Sequence, residues 1–343
     1  MVAEAIQEVA QVQDSLPPLR QWDSVYIGAE ELAPAEDYRE EVGSVKVDAD
    51  FFLGLQDLRT ATSGDQTRVV ITGILVKPHG DGLILVATDT YRLWTRTVDA
   101  ENVNLPAEGV IIPGSCVKKE LPGIIKANGG KRGFGWQARG VTLTLYKDTH
   151  ITTHKRRTVS GGWRNTVTEE HEDLVRVSFV SQVLQVGTAG LYSIDLTEGQ
   201  FVNFPKVTPD AATADSVLEV KANVLLEGLK WCGAVAECHD NKVRLDVAAD
   251  GIAITAAACD GVGKAFAEYP IAGPQVDLQG RGFAAQVNYR YLLDFLTPLE
   301  GAFVKFHHWQ DGVSEWNGEA YPKAVLLTSG ENAYVLMQMI DPK

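Results

Sequence analysis

The segment VKVDADFFLGLQDL, starting at Val45, returns as LEVKANVLLEGLKW at Leu218. A chain that repeats itself at long range is assembled from copies of one unit, and this limits its fold more than any single motif does. Each segment reads as a short alternating strand followed by an amphipathic helix. Phe51, Leu55 and Leu58 share one face of the first helix, and Leu225, Leu229 and Cys232 share one face of the second. Further on, DGLILVATD (81–89) pairs with DGIAITAAACD (250–260), and VIIPGSCVKKELPGII (110–125) with FAAQVNYRYLLDFLTPL (283–299). All three matches are offset by about 170 residues, which predicts two copies of one domain.

Within each copy the pattern halves again, as strand, helix and several strands, twice over. Strands outnumber helices and follow one another through turn signals such as HGDG (79–82). This predicts an α+β fold of antiparallel sheets with two helices packed on one side. Pro122, inside the second helix of the first copy, is expected to kink or shorten it. The boundaries read as an N-terminal extension over 1–44, one domain over 45–212 with an insertion at about 147–180, and a second domain over 213–343. The extension carries a short predicted helix (3–14) and then an acidic, Pro-containing arm. The insertion places His154, Lys155, Arg156 and Arg157 ahead of an acidic run. It reads as a solvated hairpin or loop, with a DNA-touching finger as the alternative.

Composition narrows the function. No run approaches the roughly 18 apolar residues of a membrane-spanning helix. The N-terminus has neither the basic start nor the apolar stretch of a secretory signal. Cys116, Cys232, Cys238 and Cys259 are too few and too scattered for a disulfide framework, so reduced cytosolic thiols are expected. Cys232, Cys238 and His239 match no usual zinc spacing. GGKRGFGWQARG (129–140) follows a helix rather than opening one, so it is a loop and not a phosphate cradle. A net charge of −14 argues against a uniformly basic surface, although an acidic exterior can still enclose a basic channel.

GLILVATDTYRLWTR (82–96) runs from a buried strand into Thr88, Asp89, Thr90, Tyr91 and Arg92, and then back to Leu93 and Trp94. A catalytic loop and a peptide-docking pocket are the two readings of this turn. A hydrolase using Asp89 with His79 or Asp260 lacks an evident nucleophile or metal partner.

The segment LVATDTYRLWTR resembles the VATDGHRLA stretch of bacterial DNA polymerase III β sliding clamps. RVVITGILV resembles that family's LNGxL strand, VIIPGSCVKKEL its VIVPRK helix start, and EGQFVNFPKV (198–207) its DGRFPDYRRV connector. VNYRYLLDFL (287–296) resembles FNVxYLLDAL, and AYVLMQM (333–339) resembles YVVMPM. The matches keep the family's order over residues 45–340 and fall on its second and third domains. Residues 1–44 are too few to build the first. Thr90-Tyr91 stands for Gly-His, Val202 for the Pro of FPDY, and Gln338 for the Pro of MPM.

The resemblance implies two copies of the clamp domain, with antiparallel sheets outside and two helices per domain facing a central channel. It also implies an apolar interdomain groove that takes partner peptides. Carried over residue by residue, the groove is lined by Ile71, Thr88, Thr90, Tyr91, Arg92, Leu93, Val202, Val207, Tyr291, Val335, Met337, Gln338 and Met339. Arg92 and Tyr91 would form its polar rim. Arg59, Arg68, Lys119, Lys126, Lys230 and Arg290 would present cations to DNA phosphates without reading bases. The implied function is a non-enzymatic, cytoplasmic, nucleoid-associated sliding clamp, a processivity factor without cofactor. Its partners would be duplex DNA, a replicative polymerase and an ATP-dependent clamp loader, with no membrane. Lacking one domain, the chain is expected to close its ring as a homotrimer, with a dimer as the lesser alternative. The competing reading is a clamp-fold peptide-binding adaptor that does not encircle DNA.

Overall fold

The computed structural model describes residues 24–31, 36–127, 140–160, 169–187, 192–237, 240–259, 264–272, 276–310, 313–316, 319–322 and 324–339. The helix expected at 3–14, most of the Gly-rich stretch, and Cys238, His239 and Asp260 lie outside them. The chain divides into two units, one of residues 1–42 with 146–183 and the other of 43–145 with 184–343.

In the first unit, strand Ser24–Glu31 runs antiparallel to the end of strand Val141–Ser160. The register sets Glu30 opposite Lys155 and Glu31 opposite His154. Arg39 holds Asp148 through two hydrogen bonds of 2.7 and 2.5 Å and lies 5.3 Å over the Tyr146 ring.

Among the described residues the second unit contains four α-helices: α1 (Ala49–Leu58), α2 (Gly114–Ala127), α3 (Ala222–Ala236) and α4 (Tyr289–Leu296). α1 packs on α2, and α3 packs on α4. Phe51, Phe52, Leu55 and Leu58 are buried from α1, and Leu225, Leu226, Leu229 and Cys232 from α3, in one shared core. α2 continues through Pro122 to Ala127, so the proline does not shorten it. Burial of Leu121 and Ile124 on either side outweighs the local cost of the missing N–H.

The repeat extends to individual contacts. A Cβ on Gly54 of α1 would meet Leu85 at 2.7 Å and Arg96 at 3.3 Å, and one on Gly228 of α3 would meet Ile254 at 2.6 Å and Tyr269 at 2.8 Å. Leu85 is paired with Arg96 across strands Gly82–Thr88 and Arg92–Val98. Ile254 is paired with Tyr269 across strands Gly251–Cys259 and Lys264–Ala272. Each copy therefore seats its first helix on the same strand pair, close enough that a side chain in place of the glycine would have to displace its neighbours.

Nine strands form one sheet that crosses from copy to copy. Strand Asn332–Leu336 of the second copy pairs antiparallel with Arg92–Val98 of the first, with Val335 opposite Leu93 and Tyr334 opposite Trp94. Alternation sends these pairs to opposite faces. Trp94 and Tyr334 enter the helix-side core, 5.6 Å apart and edge to face, and Trp94 lies 5.3 Å from Phe295 of α4. Leu93 and Val335 enter a second core on the other face. The antiparallel sheets with few helices bear out the expected α+β class.

Candidate functional site

The turn after strand Gly82–Thr88 is fixed by its own side chains. The Asp89 carboxylate accepts hydrogen bonds from the backbone N–H groups of Tyr91 and Arg92, both at 3.0 Å. The Thr88 hydroxyl donates to the Arg92 carbonyl at 2.7 Å and accepts from the Thr90 N–H at 3.1 Å. Thr90 is held at φ +83°, a left-handed conformation that β-branched residues rarely adopt. The consequence is that Tyr91 projects outward, 62% exposed.

Arg92 goes the other way. At 7% exposure it is buried rather than at a groove rim, which corrects the expectation from sequence. Its guanidinium donates to Asp89 at 2.9 Å, to Asp294 of α4 at 2.6 Å and to the Thr60 carbonyl, lies 3.5 Å from the Tyr334 hydroxyl, and sits 4.1 Å over the Tyr291 ring. Acceptors from both copies converge there, so a buried cation is tolerated. Burial alone would lower its pKa, but Tyr334, Asp294 and Asp89 outweigh that and the net shift is upward. Tyr334 in turn donates to the Tyr291 carbonyl at 3.0 Å, and burial pushes its phenol upward. Arg92 and Tyr291 thus belong to the joint between the copies.

Outside the joint an apolar surface remains. Leu93 and Val335 are buried with Leu75, Val86, Ile111, Leu326 and Trp309, and Phe201, Phe204, Ala211 and Ala214 of the connector pack against them. The Met337 N–H donates to the Tyr91 carbonyl at 3.0 Å, which ties the C-terminal segment to the turn. Val202 and Val207 flank the short 3-10 turn Phe204–Lys206. Tyr91, Val202, Val207 and Met337 all expose large apolar surface. Ile71 and Thr88 are buried, Thr90 is exposed, and Gln338 and Met339 are half-buried. Sequence reasoning missed Val69, which is 51% exposed, and Trp309, whose indole donates to Thr213 at 3.0 Å. Exposed Val69 beside Arg68 gave no periodic signal, and Trp309 lies just past a strand end.

The expected cations divide. Lys119 and Lys126 of α2 and Lys230 of α3 are exposed, as is Lys118, which sequence reasoning passed over. Arg290 is exposed and forms an ion pair with Glu237 at 3.1 Å. Arg68 pairs with Asp65 at 2.8 Å, and bonds from Thr67 and Arg68 hold the Asp65 carboxyl down at about 2. Arg59 is half-buried at the end of α1. Trp231, beside Lys230, is 65% exposed. Among the described residues no cluster of His, Cys, Asp and Glu could hold a metal ion, and no helix is long and apolar enough to cross a membrane.

Residues 51–132 match the family described as DNA polymerase III beta subunit, central domain. The chain is 30% identical over 114 residues to the beta sliding clamp of Synechococcus elongatus, a match covering 33% of this chain and 29% of that protein. The matched stretch therefore spans less than a third of that relative's length. Among solved structures, the DNA polymerase sliding clamp from Bacillus subtilis superposes with a TM-score of 0.60 at 16% identity, covering 91% of this chain and 67% of that one. The sliding clamp from Pseudomonas aeruginosa gives 0.57 at 18% identity, covering 98% and 80%. The architecture of this chain is that of these sliding clamps.

Proposed function

We propose, from its similarity to DNA polymerase III β sliding clamps in sequence and fold, that this chain encircles duplex DNA and tethers a polymerase to it. The single observation that supports this reading best is the joint at Arg92. It ties the turn at Arg92 to Asp294 of α4, beside the pairing of strand Arg92–Val98 with Asn332–Leu336 in one continuous sheet. Head-to-tail contacts close into a ring when the rotation permits, and three chains of two copies each supply six domains. A homotrimer is therefore the assembly this chain would form.

Within such a ring, Lys119, Lys126, Lys230, Arg290, Arg59 and Arg68 would meet phosphates without reading sequence. The pairing of Arg68 with Asp65 and of Arg290 with Glu237 leaves the three lysines as the principal contributors. The clamp would act without cofactor or catalysis, by raising the polymerase's effective concentration at the template. The exposed side chains of Tyr91, Val202, Val207 and Met337 would together hold an apolar anchor of a partner peptide, with Met337 adapting its shape to different partners. The replicative polymerase and an ATP-dependent loader in the cytoplasm are the partners this implies.

Retention on closed circular DNA tests the proposal. A ring stays on the circle and is lost after linearisation. Equal loss from both forms would leave the peptide-binding adaptor as the surviving reading.

A further inference from the structure

Tyr91 is presented to solvent by a turn under backbone strain. Thr90 stands at φ +83°, where a β-branched residue stays only when its surroundings hold it. One oxygen of the Asp89 carboxylate accepts the N–H groups of both Tyr91 and Arg92, and the Thr88 hydroxyl bonds the Thr90 N–H and the Arg92 carbonyl. The Tyr91 carbonyl then accepts the Met337 N–H at 3.0 Å. The turn therefore sets the exposed side chains of Tyr91 and Met337 as a pair.

The orientation of the Asp89 carboxylate is set from outside the turn. Its second oxygen accepts from Arg92 Nε at 2.9 Å. That guanidinium is held in its turn by Asp294 of α4 at 2.6 Å and by the Thr60 carbonyl. Trp94, two positions after Arg92, enters the core on the helix side, and Leu93 between them enters the core on the other face. Asp294 thus reaches the turn from the helix side, across the sheet from Leu93 and Val335.

The remaining partners of Arg92 cannot replace Asp294. The Thr60 carbonyl is neutral, and the Tyr334 hydroxyl lies at 3.5 Å and already donates to the Tyr291 carbonyl. Without Asp294 the buried guanidinium keeps only Asp89 as a paired carboxylate. Its position then depends on the same carboxylate that shapes the turn, and the strained conformation at Thr90 loses its support from α4.

We infer that Asp294 is a positioning residue for the docking surface: without touching a partner peptide, it holds Tyr91 and Met337 in the arrangement that receives one. The inference rests on the peptide-docking reading and names a residue of the second copy that governs it. Asp294 acts on the population of the competent turn, not on contacts in the bound state. A smaller competent population lowers the apparent affinity by the fraction lost. The loss falls on association, whereas removal of a contact falls mainly on dissociation.

Stopped-flow anisotropy of a fluorescein-labelled short peptide ending in Leu-Phe, added to the full chain, tests this. Asp294→Ala is expected to slow association by about tenfold and to leave dissociation within about twofold of wild type. Asp294→Asn keeps the side chain's shape and an acceptor oxygen but not the charge, and should slow association by about threefold. It carries the test if Asp294→Ala does not fold. Tyr91→Ala removes a contact and should speed dissociation, and on that background Asp294→Ala should add little. Association as fast as wild type in both Asp294 variants, or a full further loss in the double variant, would overturn the inference and leave the docking surface intact. A wild type that does not bind the peptide would overturn the docking reading, and the inference with it.

Discussion

Arg92 and Asp294 meet at 2.6 Å across the joint between the two copies, one from the turn that exposes Tyr91 and the other from α4. The same guanidinium reaches Asp89 and the Thr60 carbonyl, so one side chain ties the Tyr91 turn to α4 and to the segment after α1. Removing one partner of a buried ion pair leaves the others desolvated and unpaired. Arg92→Ala is expected to cost about 3–5 kcal/mol. Urea unfolding would measure it. Arg92→Lys should recover little, since a single ammonium cannot reach three acceptors on different elements. A loss below about 1 kcal/mol would show that the joint is held by Trp94, Phe295 and Tyr334 instead.

The repeat, the α+β class and the buried faces of α1 and α3 were legible in the sequence because each is a local period. Phe51, Leu55 and Leu58 announce their shared face within ten residues. The fate of Arg92 was not legible. Its acceptors Asp294 and Tyr334 lie more than 200 positions away, at separations of 202 and 242, and no spacing rule links them. Tyr91, Val202, Val207 and Met337 were found through resemblance to a known family, not through any periodicity of their own.

Thr90 gives a stability prediction of opposite sign. It holds φ +83° in a turn where the resembling segment of the clamp family has glycine. Glycine adopts that conformation without the Cβ clash. Thr90→Gly should therefore stabilise the protein by about 1 kcal/mol, less the entropy glycine gains on unfolding. Thermal unfolding would register the rise. A fall of the same size would mean that the threonine makes a compensating contact.

His307 and His308 supply a pH dependence. Both are buried, and the Nδ1 of each lacks a hydrogen-bond partner. His307 Nε2 lies 3.0 Å from the Thr328 hydroxyl, and the His308 ring stacks on Phe283 at 4.4 Å. Burial lowers both pKa values. Lys305 adds to the effect at His307, and Asp215 partly opposes it at His308. Below the unfolded value of about 6.5 the unfolded chain binds protons that the folded chain refuses. Stability is thus fully present above that pH and falls as pH drops through it, by up to about 1.4 kcal/mol per pH unit for each histidine. His308→Phe should remove its share of the slope between about pH 6.5 and 5. An unchanged slope in this variant would assign the acid sensitivity elsewhere. The carboxyl of Asp57, pushed up to about 6 by burial against the opposing pull of Arg96, acts in the contrary sense over about pH 4 to 6. Asp57→Asn separates the two.

The apolar surface at the turn yields the last prediction. Tyr91 and Val207 are 62% and 59% exposed, so neither contributes much to the folded state. An interface concentrates its energy in a few large side chains that become fully desolvated. Tyr91→Ala should weaken binding of a short peptide with an apolar anchor by about tenfold or more, and Val207→Asp should do the same by placing a charge in the contact. Fluorescence anisotropy of a labelled clamp-binding peptide reads both. The unfolding midpoint of each variant should match wild type, which separates lost docking from lost structure. Trp231→Ala serves as the internal control, because its exposed side chain lies on α3 and not on the turn. If Trp231→Ala lost the peptide while Tyr91→Ala kept it, the docking surface would have to move from the turn to α3.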